Sequence, residues 1–359
     1  MRIAFIIFSM MGGGAERMVS RLSNNFARRG LDVDLLLLFT KENRAYSIDE
    51  NVGIIDIGFS EIENKTIKKI KQIIAIRDYI KDKQPDVVFC YVITTIPFAV
   101  LASMGLKNKT KIIGSQRTNP KVIALLHRMI VHPFLRMCDG FVFQTSGARD
   151  FYPDWLKNKS TIIGNIAPDV HVDREHLQGG EDICAAGRLH SDKDFETVIK
   201  AILVVKKTHP LIRLHIYGEG PKEKDLRALV AQLDLDNNII FEGFTKNIEE
   251  ELKKYDIYVF SSKAEGMPNS LIEAMATGMA CIASDCDYGP SDLINDGING
   301  YLVPVGDYNA MAEKICLMLD DKKKRKEIML EAKKINDKYS ENKITEEYLS
   351  YAKYVCKNS

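Results

Sequence analysis

The chain has 359 residues, 45% hydrophobic, 28% charged and 8% aromatic, and 50 Lys and Arg against 49 Asp and Glu give a formal charge of +1. These ordinary globular values exclude a disordered, collagenous or coiled-coil chain. The near-neutral balance argues against a dedicated nucleic-acid binder, which would carry a basic excess, and the length suits two cores of ~100–200 residues each.

In chain order, short β-branched runs alternate with helical patterns. The apolar run 3–8 is too short for the core of a signal peptide and no A-x-A site follows, so it reads as a first buried strand. Further strands are expected over 33–39, 54–57, 87–91, 111–113 and 141–144, then over 183–186, 213–217, 239–242, 257–260, 281–284 and 301–303. The runs are continuous rather than alternating, which suits parallel strands covered on both faces. After the first run, Ala15, Met18, Val19, Leu22 and Phe26 recur at helical spacing and stop before Gly30. Strand–helix alternation implies an α/β fold with right-handed crossovers. The series restarts after a stretch holding Pro168, Gly179 and Gly180, so two doubly wound domains are expected, 1–165 and 181–339, with 166–180 as linker. No apolar stretch reaches the ~20 residues of a membrane span. The seven cysteines are scattered and form no C-x-x-C pair, which fits reduced thiols in a cytoplasmic protein.

Three segments carry chemistry. Glu265-Gly-Met-Pro-Asn269-Ser270-Leu-Ile-Glu273 follows the strand at 257–260 and opens a helix near Asn269. Asn269 or Ser270 would cap that helix, and its first N–H groups would bind an anion. Glu265 in the loop and Glu273 one turn inside would flank that anion and accept bonds from sugar hydroxyls. The second segment, Gly187-Arg188-Leu-His-Ser-Asp-Lys193, follows the strand at 183–186, where ligands of open α/β sheets bind. Its Arg188 and Lys193 offer a planar fork and a point charge for a diphosphate. The third, Gly12-Gly13-Gly14-Ala-Glu-Arg17, lets a ligand approach the main chain closely and is neither a G-x-G-x-x-G nor a Walker A motif.

Together with Tyr217-Gly-Glu-Gly-Pro221, Phe241-Glu-Gly-Phe244 and the long run from Glu265 to Val303, these segments resemble family 4 of the retaining glycosyltransferases. The resemblance covers nearly the whole chain. It implies the GT-B fold, two Rossmann-like domains facing across a cleft, with the closing helix at 340–359 crossing back to the first, acceptor-binding domain. It further implies that Arg188 and Lys193 neutralise the diphosphate of a nucleotide-sugar donor, that Glu265 holds donor-sugar hydroxyls and that Glu273 holds the ribose. Main-chain groups at Gly243 and Phe244 would read the base, and Gly13, Gly14, Met267, Pro268, Asn269, Ser270 and Leu271 would complete the donor site.

Arg188, Lys193 and the helix start would stabilise the leaving diphosphate without a metal or other cofactor. Asp-x-Asp recurs along the chain, among other places at Asp32 and Asp34, Asp192 and Asp194, and Asp285 and Asp287. This shows how cheap that metal-binding pattern is, and no metal is expected. Where many relatives place a His, after the strand at 111–113, this chain has Arg117. A guanidinium stays protonated and cannot act as a base, so Arg117 is read as an acceptor-side ligand of a phosphate or sugar oxygen. The attacking hydroxyl would then lose its proton to the departing phosphate. His127, His132 and His190 are read as structural.

The segment 63–83 carries seven cations against three acids, a local charge of +4, and a helical stripe of Ile67, Ile70, Ile73, Ile74 and Ile80. Such a helix either packs its apolar face on the first sheet or touches anionic lipid. Lys68, Lys69 and Lys71 are the expected contacts to a lipid-borne diphosphate. The reading is a cytoplasmic retaining transferase, peripheral at the inner membrane face. It would move a hexose or N-acetylhexosamine from a UDP-sugar to a glycan or polyprenyl-diphosphate-linked acceptor. A UDP-sugar epimerase of the same architecture and a non-catalytic sugar-nucleotide binder are the alternatives.

Overall fold

The computed structural model describes residues 1–39, 45–107, 109–122, 125–170, 172 and 180–358, without the side chains of 122 and 125–128. The side chain of His127 and most of the expected linker lie outside what is described. The chain forms two compact units, Met1–Ile166 with Glu341–Ser359, and Ala167–Ser340.

The first unit holds strands β1 (Arg2–Ile7), β2 (Asp32–Leu37), β3 (Val52–Asp56), β4 (Val87–Cys90), β5 (Lys111–Gln116), β6 (Gly140–Phe143) and β7 (Ser160–Ile162). They form one sheet in the order β3-β2-β1-β4-β5-β6-β7, parallel throughout. The order reverses direction between β1 and β4, so the crevice beyond their carboxyl ends is where such a sheet takes a ligand. Buried aromatic residues fill one face: the Phe5 ring stacks 5.3 Å from Phe89 and 6.1 Å from Phe26 of the helix Gly14–Arg28. The helix Glu341–Asn358 belongs to this unit. Its Tyr348 meets Phe89 edge-on at 5.8 Å, and the Tyr351 hydroxyl accepts from Phe141 N (2.8 Å) and donates to Lys159 O (2.6 Å).

The second unit holds β8 (Asp182–Ala186), β9 (Arg213–Tyr217), β10 (Ile239–Gly243), β11 (Ile257–Phe260), β12 (Ala280–Ser284) and β13 (Tyr301–Val303). Their order is β10-β9-β8-β11-β12-β13, again parallel, with the reversal between β8 and β11. Ile183, Ile216, Val259 and Ile282 of the sheet pack with Ile199 and Met311 of the covering helices in a core without exposed surface.

Two expectations need correction. The strand β7 was not legible, because its three residues Ser160–Ile162 are only half-buried at the sheet edge. The isoleucine stripe of the helix Lys65–Lys83 also does not face one way. Gln72, Ile76, Tyr79 and Ile80 face the core, whereas Ile67, Ile70 and Ile74 are each about half exposed. The helix follows a 3.6-residue period, and positions 67, 70 and 74 fall on its outer side.

Candidate active site

Adjacent strands β8 and β11 deliver the two chemistry-bearing loops of the second unit to one edge. The loop after β8 is tied down on both sides. On one side Gly187 N donates to Tyr217 O (2.9 Å) and Leu189 N to Glu219 O (3.0 Å). On the other, Lys263 N donates to Asp192 O (2.7 Å) and Ser261 Oγ to Lys193 O (2.8 Å). Close approach explains the glycines of the Tyr217–Pro221 segment. A Cβ on Gly218, whose φ is +135°, would sit 2.0 Å from Gly187 O, and one on Gly220 would sit 2.4 Å from Leu189 O.

This strapping brings Lys193 to Glu265. Lys193 Nζ donates to Glu265 Oε1, and their side chains are only 25% and 13% exposed. Seventy-two residues apart in sequence, the two form one ion pair at the carboxyl ends of neighbouring strands. Arg188 is exposed, and among the described residues no ion pair to it is seen. The Cys286 thiol lies close to this pair: burial first, then the Glu265 charge, pushes it up to about 12, with Lys193 opposing.

The helix Asn269–Ala276 starts just beyond Glu265, with Pro268 at the N-cap and no side-chain cap. The expected cap at Asn269 or Ser270 is thus corrected: proline fixes φ before the first turn, and Asn269 and Ser270 are already helical. The first-turn N–H groups of such a helix point at a site suited to an anion. Glu273 is buried, 5% exposed, one turn inside this helix, so neither glutamate is a solvated surface group. Met267 and Pro268 are buried beneath the loop. A Cβ on Gly289, at φ +102°, would meet Gly266 O at 2.5 Å and Pro268 Cδ at 2.6 Å, so the segment after β12 backs the Glu265 loop.

Tyr258 on β11 is a positioning residue that the sequence did not mark. Its buried hydroxyl donates to Ala186 O (3.0 Å) and accepts from Ala186 N (3.3 Å). Burial raises its phenol well above the ordinary range, and a bond with Ser270 opposes this. One hydroxyl therefore links the end of β8 to the start of the Glu273 helix. Tyr258→Phe keeps the ring and is expected to cost about 1 kcal/mol, read as an about fivefold weaker affinity for UDP by calorimetry.

Gly243 ends β10 at φ +77°, its carbonyl accepting from Gly218 N (2.7 Å), and the Phe244 ring beside it is exposed. In the first unit, Gly12 (φ +128°) and Gly13 precede the helix that begins at Gly14. The Tyr46 hydroxyl donates to Gly13 O at 3.2 Å. Arg117 is half-buried at the end of β5. Its guanidinium lies 4.0 Å over the Tyr91 ring, and Nη2 donates to the Tyr348 hydroxyl. Burial lowers the Arg117 pKa and raises that of Tyr91 to about 12. Lys69 and Lys71 are exposed on the helix Lys65–Lys83, and Lys68 Nζ sits 5.0 Å over the ring of exposed Phe39.

The acids of the first two of these Asp-x-Asp pairs are engaged in the fold. Asp34 accepts from the Tyr79 hydroxyl (2.7 Å) and Asp32 pairs with Arg2. Asp192 meets His190 (2.5 Å), and Asp194 pairs with Lys263 (3.0 Å) and accepts from Thr197 (2.8 Å). Among the described residues, no three His, Cys, Asp or Glu side chains converge as metal ligands. His132 packs edge-on against Trp155. All seven cysteines are free.

Residues 12–166 match the family model Glycosyltransferase Family 4, and residues 170–335 match Glycosyl transferases group 1. A Campylobacter jejuni protein, GalNAc-alpha-(1->4)-GalNAc-alpha-(1->3)-diNAcBac-PP-undecaprenol alpha-1,4-N-acetyl-D-galactosaminyltransferase, is 28% identical over 97% of this chain and 97% of its own length. Among solved structures, a sucrose-phosphate synthase from Thermosynechococcus elongatus superposes with TM-score 0.86 at 17% identity, covering 100% of both chains. Staphylococcus aureus TarM, crystallised with fondaparinux, alpha-GlcNAc-glycerol and UDP, gives 0.81 at 16% identity, also over 100% of both. The two family models account for nearly the whole chain, and the chain superposes on these solved structures over its full length. The chain therefore belongs to the glycosyltransferases of GT-B fold, a Family 4 domain followed by a group 1 domain.

Proposed function

We propose that the protein is a metal-independent, retaining hexosyltransferase that uses a UDP-sugar and extends a polyprenyl-diphosphate-linked or other cell-surface glycan. The Lys193–Glu265 pair beside the start of the helix Asn269–Ala276 carries this reading. The pair and the helix start lie at the reversal point of the second sheet. A diphosphate there meets Lys193, Arg188 and the helix N–H groups. Glu265 and Glu273 accept from sugar and ribose hydroxyls respectively.

When the bond from the anomeric carbon to the phosphate oxygen breaks, its electron pair stays on that oxygen. The cations and the helix dipole stabilise the developing charge. The acceptor hydroxyl forms the new bond on the same face, and its proton passes to the departing phosphate. An epimerase would keep the nucleotide on the sugar. The Campylobacter jejuni relative is named as a transferase, which gives the epimerase no support.

The lipid-linked acceptor follows from the Campylobacter relative's name and from the surface of the helix Lys65–Lys83. Exposed Ile67, Ile70 and Ile74 lie among exposed Lys65, Lys69 and Lys71, an arrangement suited to an anionic bilayer. Among the described residues no helix is long and apolar enough to cross a membrane. Contact at the inner face of the cell membrane would therefore be peripheral.

Two measurements test the reading. In a thermal-shift screen, the cognate UDP-sugar at ~100 times its Kd should add ~2.7 kcal/mol to stability; silence from every nucleotide sugar would sink the donor assignment. In flotation, the protein should rise with anionic vesicles. Replacing Lys68, Lys69 and Lys71 by Ala should abolish this, at about 1 kcal/mol per cation; a parent protein that stays at the bottom of the gradient rules out the membrane contact.

A further inference from the structure

Buried polar atoms are paired with few exceptions, so several unpaired ones at one edge call for an occupant. In the first unit they gather at the carboxyl ends of β4, β5 and β6. Tyr91 follows β4, Ser115 lies in β5 with Arg117 just beyond it, and Gln144 follows β6. Cys90 pairs with Gly114, Ser115 with Val142 and Gln116 with Phe143. Carried one residue further, this register sets Tyr91 beside Ser115 and Gln144 beside Arg117. The two-residue period then puts all four on one face of the sheet.

Tyr91 Oη, Ser115 Oγ, Gln144 Oε1 and the Nε and Nη1 of Arg117 are buried and have no hydrogen-bond partner among the described residues. Arg149 Nε, in the helix Ser146–Asp150 that follows β6, is in the same state. Tyr91, Ser115 and Gln144 are at least nine-tenths buried. Among the described residues no carboxylate is seen against Arg117 or Arg149. Guanidinium nitrogens buried without a counter-ion are costly. The Arg117 fork beside the Tyr91 and Ser115 hydroxyls, with Arg149 on the helix that follows β6, matches the planar recognition of phosphate oxygens.

We propose that this edge of the first unit binds a phosphate or diphosphate group through Arg117 and Arg149, assisted by the Tyr91 and Ser115 hydroxyls. Tyr348 positions the Arg117 fork by accepting from Nη2. The identity of the anion as the diphosphate of a lipid-linked acceptor rests on the function proposed above. The site itself does not.

The test is calorimetric titration of the full chain with inorganic pyrophosphate while UDP saturates the second unit. Pyrophosphate is expected to bind the parent, and Arg117→Gln and Arg149→Gln should each weaken it about tenfold or more, with UDP affinity unchanged. Should the Arg117 variant fail to fold, Arg149→Gln and Ser115→Ala decide the matter. Unchanged pyrophosphate affinity in the folded variants overturns the proposal, as does binding that vanishes once UDP is present. Farnesyl diphosphate competing with pyrophosphate supports the lipid-borne source, and failure to compete overturns that source. Absence of any nucleotide-sugar binding would refute the transferase reading while leaving the pyrophosphate result legible.

Discussion

Lys193→Ala is expected to lower kcat/KM for the donor by ~10²–10³-fold, the cost of removing one preorganised charge from the proposed leaving-group site. Two effects add. The developing phosphate charge loses its point cation, and Glu265 loses its partner while its carboxylate remains only 13% exposed. That carboxylate then faces the diphosphate unscreened, and a like charge in a partly desolvated pocket is repulsive. Glu265→Gln removes the repulsion along with the sugar contact. The double variant should therefore lose less than the two single losses combined, as expected for residues in direct contact. Lys193→Arg should recover only part of the activity, because a fork does not replace a compact ammonium. UDP release measured with and without acceptor reads all four proteins. A Lys193→Ala enzyme within threefold of the parent would remove Lys193 from the chemistry.

Gly218→Ala should cost about 3 kcal/mol or more in the stability of the second unit and abolish donor binding. The new Cβ meets Gly187 O at 2.0 Å, a backbone atom that cannot move without shifting the Arg188–Lys193 loop. The φ of +135° adds strain for any side chain. At ~2–4 °C per kcal/mol for a unit of this size, the melting temperature should fall by about 6–12 °C. Gly306→Ala is the control. Gly306 also has a positive φ, +79°, but nothing within 4 Å of its Cβ, so only the conformational cost remains. Equal losses in the two variants would show that strain, rather than contact with the loop, makes Gly218 necessary.

Strand–helix alternation, the restart after the first half and the motif loops were all legible in the chain. Buried parallel strands demand continuous apolar runs, and strand–loop–helix junctions demand glycines and caps. The half-buried edge strand β7 left no such mark. Nor did the outward turn of Ile67, Ile70 and Ile74, because an apolar stripe reads alike whether it faces a core or solvent.

The sequence by itself determined which residue types would gather at the proposed donor site: two cations, two carboxylates and glycines where backbone meets backbone. Only the tertiary structure decided their pairing. Lys193 and Glu265 meet because β8 and β11 are neighbours in the sheet although three crossovers separate them in the chain. Tyr258 matters because its hydroxyl reaches the end of the adjacent strand. Arg117 lies between two tyrosine rings because the helix Glu341–Asn358 returns to the first unit. Local patterning fixes elements through short-range sterics and burial, whereas contacts between residues far apart in the chain exist only once the sheet order is set.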